Sequence, residues 1–399
     1  MSDNKELEDF LKDPNLLNKT VKTVQEVGVV GEDKSIKSEI LICCGKLVKN
    51  KETISTNAHP EDDSGIGKDY VTEAVKKVVF YKDWIKYNSP TPTSVSYSQR
   101  TTEDKDGNKQ TIGKKITADK IIYIKDASEE FINSDDCKLL LEEEKVDLPK
   151  TIKQQTVRLM WEKPIVIITT AGTTTKHQLI RRLPSIHFDD TEKQTADIID
   201  FQLEKDCDIG NNKKNFEQIK RVKDAFYLLK NNIFVDLKNV KDEIIKRRPK
   251  YNEIIMRSLN ARLLDFIKFS TALHQYQRKQ SGTLTRLAEV QDVDIGYELF
   301  NYIYGSDLVD VSVLNPRQRR IHKKLRNNSQ IHYTANRINS WKISEGVSIQ
   351  QTYEDLKKIM QEDKEIQMDE SVKPKKYGYL IHGTRESIDS FGEDDFGEL

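Results

Sequence analysis

Two short β-branched runs set the tightest limit on what this chain can fold into. Ile121-Ile-Tyr-Ile-Lys-Asp126 and Ile165-Val-Ile-Ile-Thr-Thr170 are apolar at consecutive rather than alternate positions. A strand apolar on both faces must be covered on both, as parallel strands are inside an α/β sheet. The first run ends in a carboxylate and the second in paired hydroxyls. The expected fold class is therefore α/β with a parallel sheet.

A third segment adds chemistry. Ile54 to Asn57 reads as a strand, followed by a polar, glycine-containing turn, then Gly67-Lys68, then an amphipathic helix from Tyr70 to Val79. Strand, glycine loop, lysine and helix is the order that cradles a triphosphate, because backbone N–H groups at a helix N-terminus and one ammonium face the anion. The expected ATP contacts are Ser64, Gly65, Ile66, Gly67, Lys68 and Asp69. The pattern G-x-x-x-x-G-K-[ST] would put Gly where Asp62 stands and Ser or Thr where Asp69 stands. Asp62, Asp63 and Asp69 bring negative charge toward phosphate, a repulsion that a metal ion would have to neutralise.

The two apolar runs supply the remaining parts. Asp126, at the end of a buried strand, is placed to hold Mg²⁺ together with Asp69. Glu129, in Ala127-Ser-Glu-Glu130, is the first choice to orient an attacking water. Thr170, at the end of the neighbouring strand, is placed to sense a γ-phosphate. Arg181 and Arg182 follow, and either suits an arginine finger presented to a neighbouring subunit.

On these residues the chain resembles the P-loop ATPase and helicase module of archaeal and mobile-element replication proteins, related to AAA+ and superfamily-3 helicases, with a degenerate Walker A loop. The similarity runs from about residue 14 to 305. It takes in Gly28-Val-Val-Gly31-Glu-Asp33, Asp126 to Asn133, Arg181-Arg-Leu-Pro184, Asp189 to Thr195 and Ser270 to Arg278. The resemblance implies ATP-driven movement on, or remodelling of, DNA by a homo-oligomeric ring. A primase or other replication protein would be a separate partner.

Nucleic acid enters through a local patch, since 65 Lys and Arg balance 65 Asp and Glu. Arg317-Gln-Arg-Arg-Ile-His-Lys-Lys-Leu-Arg326 holds six permanent cations and no acid. Arg317, Arg319, Arg320, Lys323, Lys324 and Arg326 are expected DNA contacts, by phosphate neutralisation and counterion release. Downstream, Ser348 is a plausible N-cap for a helix with Ile349, Tyr353, Leu356 and Ile359 as its apolar stripe. Gln350, Gln351, Lys357 and Lys358 would then be exposed, and Ile366-Gln-Met368 would pair with Tyr377 to Ile381 as a wing.

The resulting expectation is a helical N-terminal region (1–50), a P-loop NTPase core (51–190), an α-helical region without strands (191–310), a winged-helix module (311–385) and a disordered acidic tail (386–399). Residues 101–115 read as a polar insertion or hairpin. Leu314 to Leu325 reads as the helix that carries the basic patch. The favoured activity is ATP hydrolysis coupled to DNA translocation or unwinding in replication. The competing class is a non-catalytic DNA-binding adaptor or transcription regulator on the same scaffold. No run reaches the roughly 18 apolar residues of a membrane helix. Cys43, Cys44, Cys137 and Cys207 lack C-x-x-C spacing, which fits a reducing, cytoplasmic setting.

Overall fold

The computed structural model describes residues 2–53, 57–60, 67–98, 101–103, 109–111, 116–152, 155–170, 183–189, 191–207, 212–247, 253–308, 314, 316–327, 333–341, 347–363, 366–369 and 374–379. The chain divides into two compact units, Met1–Gly305 and Ser306–Leu399. The first three expected regions pack together in the first unit.

That unit opens with helices α1 (Ser2–Leu11), α2 (Leu16–Gln25) and α3 (Asp33–Cys44). Strand β1 (Asn57–Pro60) leads to α4 (Lys68–Val78), β2 (Trp84–Asn88) and α5 (Ser94–Ser98). A short hairpin, β3 (Thr101–Glu103) with β4 (Lys109–Thr111), occupies the expected polar insertion. Then come β5 (Ile121–Ala127), α6 (Glu129–Ile132) and α7 (Asp135–Glu142). An antiparallel pair, β6 (Lys145–Ile152) with β7 (Gln155–Glu162), precedes β8 (Ile165–Thr170) and β9 (Ser185–Ile186).

Five of these strands form one parallel sheet, in the order β2-β5-β8-β1-β9. The consecutive apolar runs are explained by double coverage. Ile122, Ile124, Val166 and Ile168 join Phe131, Cys137, Leu140, Leu141 and Trp161 in one buried cluster. Their alternates Ile121, Tyr123, Ile165 and Ile167 are equally buried, and Tyr123 reaches α4.

Two expectations are corrected. The strand before the glycine loop is Asn57–Pro60, and Ile54, Ser55 and Thr56 lie outside the described residues. His-Pro looks like a turn, yet His59 pairs in register with Ser185 of β9 and is buried. Strands also continue past residue 190: Phe234–Asp236, Gln280–Gly282 and Thr285–Leu287 form a small three-stranded sheet among helices. Each has only 3 residues, too few for an alternation to be visible.

The helical part is held by a buried ion pair and a close crossing. Asp292, fully buried, accepts from Arg278 Nε at 2.6 Å and Nη2 at 2.9 Å, from Ser270 Oγ at 2.7 Å and from the Glu289 amide at 3.0 Å. Gly296 lets helix Val290–Leu308 lie against helix Glu253–Leu273, since a Cβ there would stand 2.6 Å from Ile267 Cγ1 and 3.0 Å from its backbone nitrogen.

The second unit runs helix Pro316–Asn327, strand Tyr333–Thr334, helix Ala335–Asn339, helix Ile349–Glu362, and strands Ile366–Asp369 and Lys376–Tyr379. The strands form an antiparallel sheet with Lys376–Tyr379 in the middle. Ser348 does cap its helix, its hydroxyl accepting from the Gln351 amide. The apolar stripe is narrower than expected. Leu356 and Ile359 are buried, as are Thr352 and Asp355, whereas Ile349 and Tyr353 are exposed. The acidic tail lies outside the described residues.

Replacing Asp292 with Ala would take from the buried Arg278 guanidinium its two-bond partner and leave it Gln291 at 3.2 Å and the half-exposed Glu289 at 3.7 Å, at a cost of about 3–5 kcal/mol. A urea titration should register the loss as a lower midpoint. A midpoint within experimental error of wild type would contradict this role.

Candidate functional site

The sheet order itself selects a site. From β1 the chain crosses to the edge strand β2, returns through β5 and β8, and then passes β1 to reach β9. The connections after β1 and β8 therefore leave in opposite directions. Ligands in open parallel sheets bind in the crevice beyond the carboxyl ends of strands at such a switch point. Here that crevice lies past Pro60 and Thr170, where α4 begins.

Gly67 adopts φ +94°, the left-handed region that suits glycine, and among the described residues a Cβ there would meet nothing within 4 Å. It has no side chain to cap α4, whose N-terminus carries the positive end of the helix dipole. Lys68 opens the helix and is buried. Ser64, Gly65 and Ile66 lie outside the described residues, as do Arg181 and Arg182.

Asp69 joins α4 to two strands. Its Oδ1 accepts from Tyr123 Oη of β5 at 2.7 Å and from Thr169 Oγ1 of β8 at 2.6 Å. Thr169 Oγ1 also accepts from the Asp126 amide at 3.3 Å. Beside it, Thr170 Oγ1 lies 3.3 Å from His59 Nε2. Burial, and then the hydrogen bond to Asp69, raise the Tyr123 phenol well above its usual range, so it stays a donor.

Asp126 is not the last residue of its strand. It sits at φ +51° in a register irregularity between Ile124 and Ala127, and pairing with β8 resumes at Ala127↔Thr170. The bulge turns the carboxylate outward, where it is half exposed. Glu129 follows on the one-turn helix α6, exposed, behind the Ser128 cap. Asp69, Asp126 and Thr170 thus come to one end of the sheet beside Gly67 and Lys68. Thr169, rather than Thr170, makes the bonds to Asp69 and Asp126.

Sequence reasoning missed Tyr123, Lys125, His59 and Glu39. A tyrosine interrupting an isoleucine run was the available signal for Tyr123. Glu39, on α3, offered none: it looks like one more charge on a helix, yet it is fully buried against α4. Its Oε1 accepts from Thr72 Oγ1 at 2.9 Å, and its Oε2 has no hydrogen-bond partner among the described residues. Burial, and secondarily the Asp69 charge, push its carboxyl up to about 8.

Two carboxylates stand at this end of the sheet, the donor type that a magnesium ion takes. Mg²⁺ is usually held by one or two carboxylates together with phosphates and water, rather than by an all-protein cage. Asp69 and Asp126 would supply the two carboxylates, and among the described residues no group of three or more His, Cys, Asp or Glu forms a cage.

The basic helix of the second unit divides its cations. Arg317 is not free for phosphate, since it bonds Asp355 and, through Nη2 at 2.8 Å, Thr352 Oγ1. Asp355 is 1% exposed, and this guanidinium neutralises it. Arg319 Nε donates to the Leu314 carbonyl at 2.8 Å, and Lys324 lies 4.9 Å from the Trp341 ring centroid. Arg319, Arg320 and Lys357 are exposed, Lys323 is half-buried, and Lys358 pairs with Glu362 at 2.9 Å. The Arg326 side chain lies outside the described residues.

No protein-family model matches the chain, and no curated protein matches it in sequence. Among the described residues no helix is long and apolar enough to cross a membrane.

The state of Glu39 makes stability depend on pH in a definite direction. Its carboxyl ionises at 4.5 ordinarily and at about 8 when folded. Between those values the unfolded chain releases a proton that the folded chain keeps, so stability falls by about 1.4 kcal/mol per pH unit and then levels off. Relative to Glu39→Gln, wild-type unfolding free energy should decline from pH 5 to pH 8. Parallel profiles for the two proteins would refute the assignment.

Proposed function

We propose that the first unit binds ATP with Mg²⁺ at the β1/β8 switch point and hydrolyses it, and that the protein couples this to movement on, or unwinding of, DNA in replication or mobile-element maintenance. The observation that carries the reading is convergence: Gly67, Lys68, Asp69, Asp126 and Thr169 meet at the sheet end that topology favours for ligands. In it Lys68 and the α4 N-terminus hold phosphate, Asp69 and Asp126 hold the metal, and Glu129 orients water. Bound magnesium would screen the charge that phosphate and Asp69 place side by side. Arg181 or Arg182 would act on a neighbouring subunit of a ring.

The second unit supports the DNA half. Its helix–strand–helix–helix–strand–strand order reads as a winged helix, with Ile349–Glu362 as recognition helix and the last two strands as wing. Gln350, Gln351, Tyr353 and Lys357 are exposed along that helix.

One observation favours the adaptor reading instead. Oδ1 of Asp69 is already satisfied by two hydroxyls, which stabilises the site without a ligand.

Lys68→Ala separates the two readings. DNA-stimulated ATP hydrolysis should fall by about two orders of magnitude if lysine stabilises transferring phosphate. Equal rates in variant and wild type would favour the adaptor. For the DNA half, Arg320→Ala with Lys357→Ala should reduce the slope of log affinity against log salt by about 0.9 for each DNA phosphate that is no longer neutralised. Arg317→Ala should instead lower the thermal stability of the second unit. An unchanged salt slope in the double variant would remove this surface from the interface.

A further inference from the structure

Lys125 stands where a cation belongs. Its Nζ lies 3.9 Å from Asp69 Oδ2 and 4.0 Å from Asp126 Oδ2. Oδ1 of Asp69 is already taken by Tyr123 and Thr169, so Oδ2 is the oxygen left for a cation, and it faces this ammonium. The opposite carboxylate comes from Asp126, whose left-handed backbone at φ +51° turns it to the same side. The lysine therefore lies between the two carboxylates nominated as metal ligands.

We propose that Lys125 is a resident cation that keeps divalent metal off the Asp69/Asp126 pair until a polyphosphate arrives. The inference rests on the nucleotide reading above and adds an order to it. Two carboxylates alone hold a hydrated divalent ion weakly, and a fixed positive charge between them weakens that further. Phosphate oxygens compete for the same ammonium. The Lys125 side chain is 32% exposed, which leaves it room to swing toward them. Metal then enters with the nucleotide or after it, and Lys125 becomes a phosphate contact. Lys125 is thus a positioning residue that sets which cation the site accepts when empty. Its lone charge also offsets part of the repulsion among Asp69, Asp126 and the incoming anion.

The test uses Mn²⁺ alone, titrated into the full-length, nucleotide-free chain and followed by the electron paramagnetic resonance of free manganese. Lys125→Met keeps an unbranched side chain one atom shorter and removes its charge, and should tighten Mn²⁺ binding by about tenfold or more. Lys125→Arg should leave the affinity at the wild-type level, and adding Asp126→Asn to Lys125→Met should abolish the gain. Melting curves of all variants check that they fold. Equal manganese affinity in wild type and Lys125→Met overturns the proposal, as does a gain that survives Asp126→Asn. Nucleotide binding is read separately, by calorimetry of wild type with MgATP. A null there would sink the nucleotide reading, whereas the manganese titration bears on Lys125 alone.

Discussion

The Asp69 carboxylate is the interaction on which the candidate site depends. A helix that starts at Gly67 could pack on the sheet in several rotational settings. Hydrogen bonds from Tyr123 and Thr169 tie its first turn to β5 and β8 at once. That fixes where Lys68 and the α4 N-terminus stand relative to Asp126. A neutral hydroxyl in place of Asp69 would accept such bonds more weakly, because hydrogen bonds to an ionised acceptor are the stronger kind. The same charge is felt at Glu39, whose buried carboxyl it helps to keep protonated. The negative charge at the start of α4 is thus part of a polar network, with Lys125 as its counter-ion.

Much of the sheet was legible because burial leaves a compositional mark. Residues 165–170 were read with their observed bounds, and residues 121–126 within one residue, since a doubly covered strand needs β-branched side chains on both faces. Helix α4 was found with its start two residues late, as amphipathic periodicity does not report the first turn. Strand β1 runs past its expected end at Asn57 because His59 and Pro60 carry turn-like composition, and only pairing with β9 makes them a strand. The edge strand β2 and the β6–β7 pair were not singled out. The pairing of β2 depends on β5, distant in sequence, whereas β6 and β7 are neighbours that pair as a hairpin without a glycine turn signal between them.

The site was legible as a set of residue types and not as a set of bonds. Lys68, Asp69 and Asp126 were nominated through spacing, and the fold brings them to one end of the sheet. Tyr123, Thr169 and Lys125 link them, and those links arise only when β5 and β8 lie side by side. Charge density alone likewise does not show that Arg317 is engaged by Asp355 and Thr352. Six cations in ten residues signal a phosphate-facing helix, yet one of them neutralises the buried Asp355. A sequence reports that a charge is present, while its partner is decided by packing.

Hydrogen–deuterium exchange with and without saturating MgATP tests the central claim most directly. A triphosphate seated at the switch point should slow exchange in peptides covering residues 67–72 and 165–170, with the edge strand at 84–88 unchanged. Identical exchange in those two peptides with and without nucleotide, or protection confined to other parts of the first unit, would contradict the account.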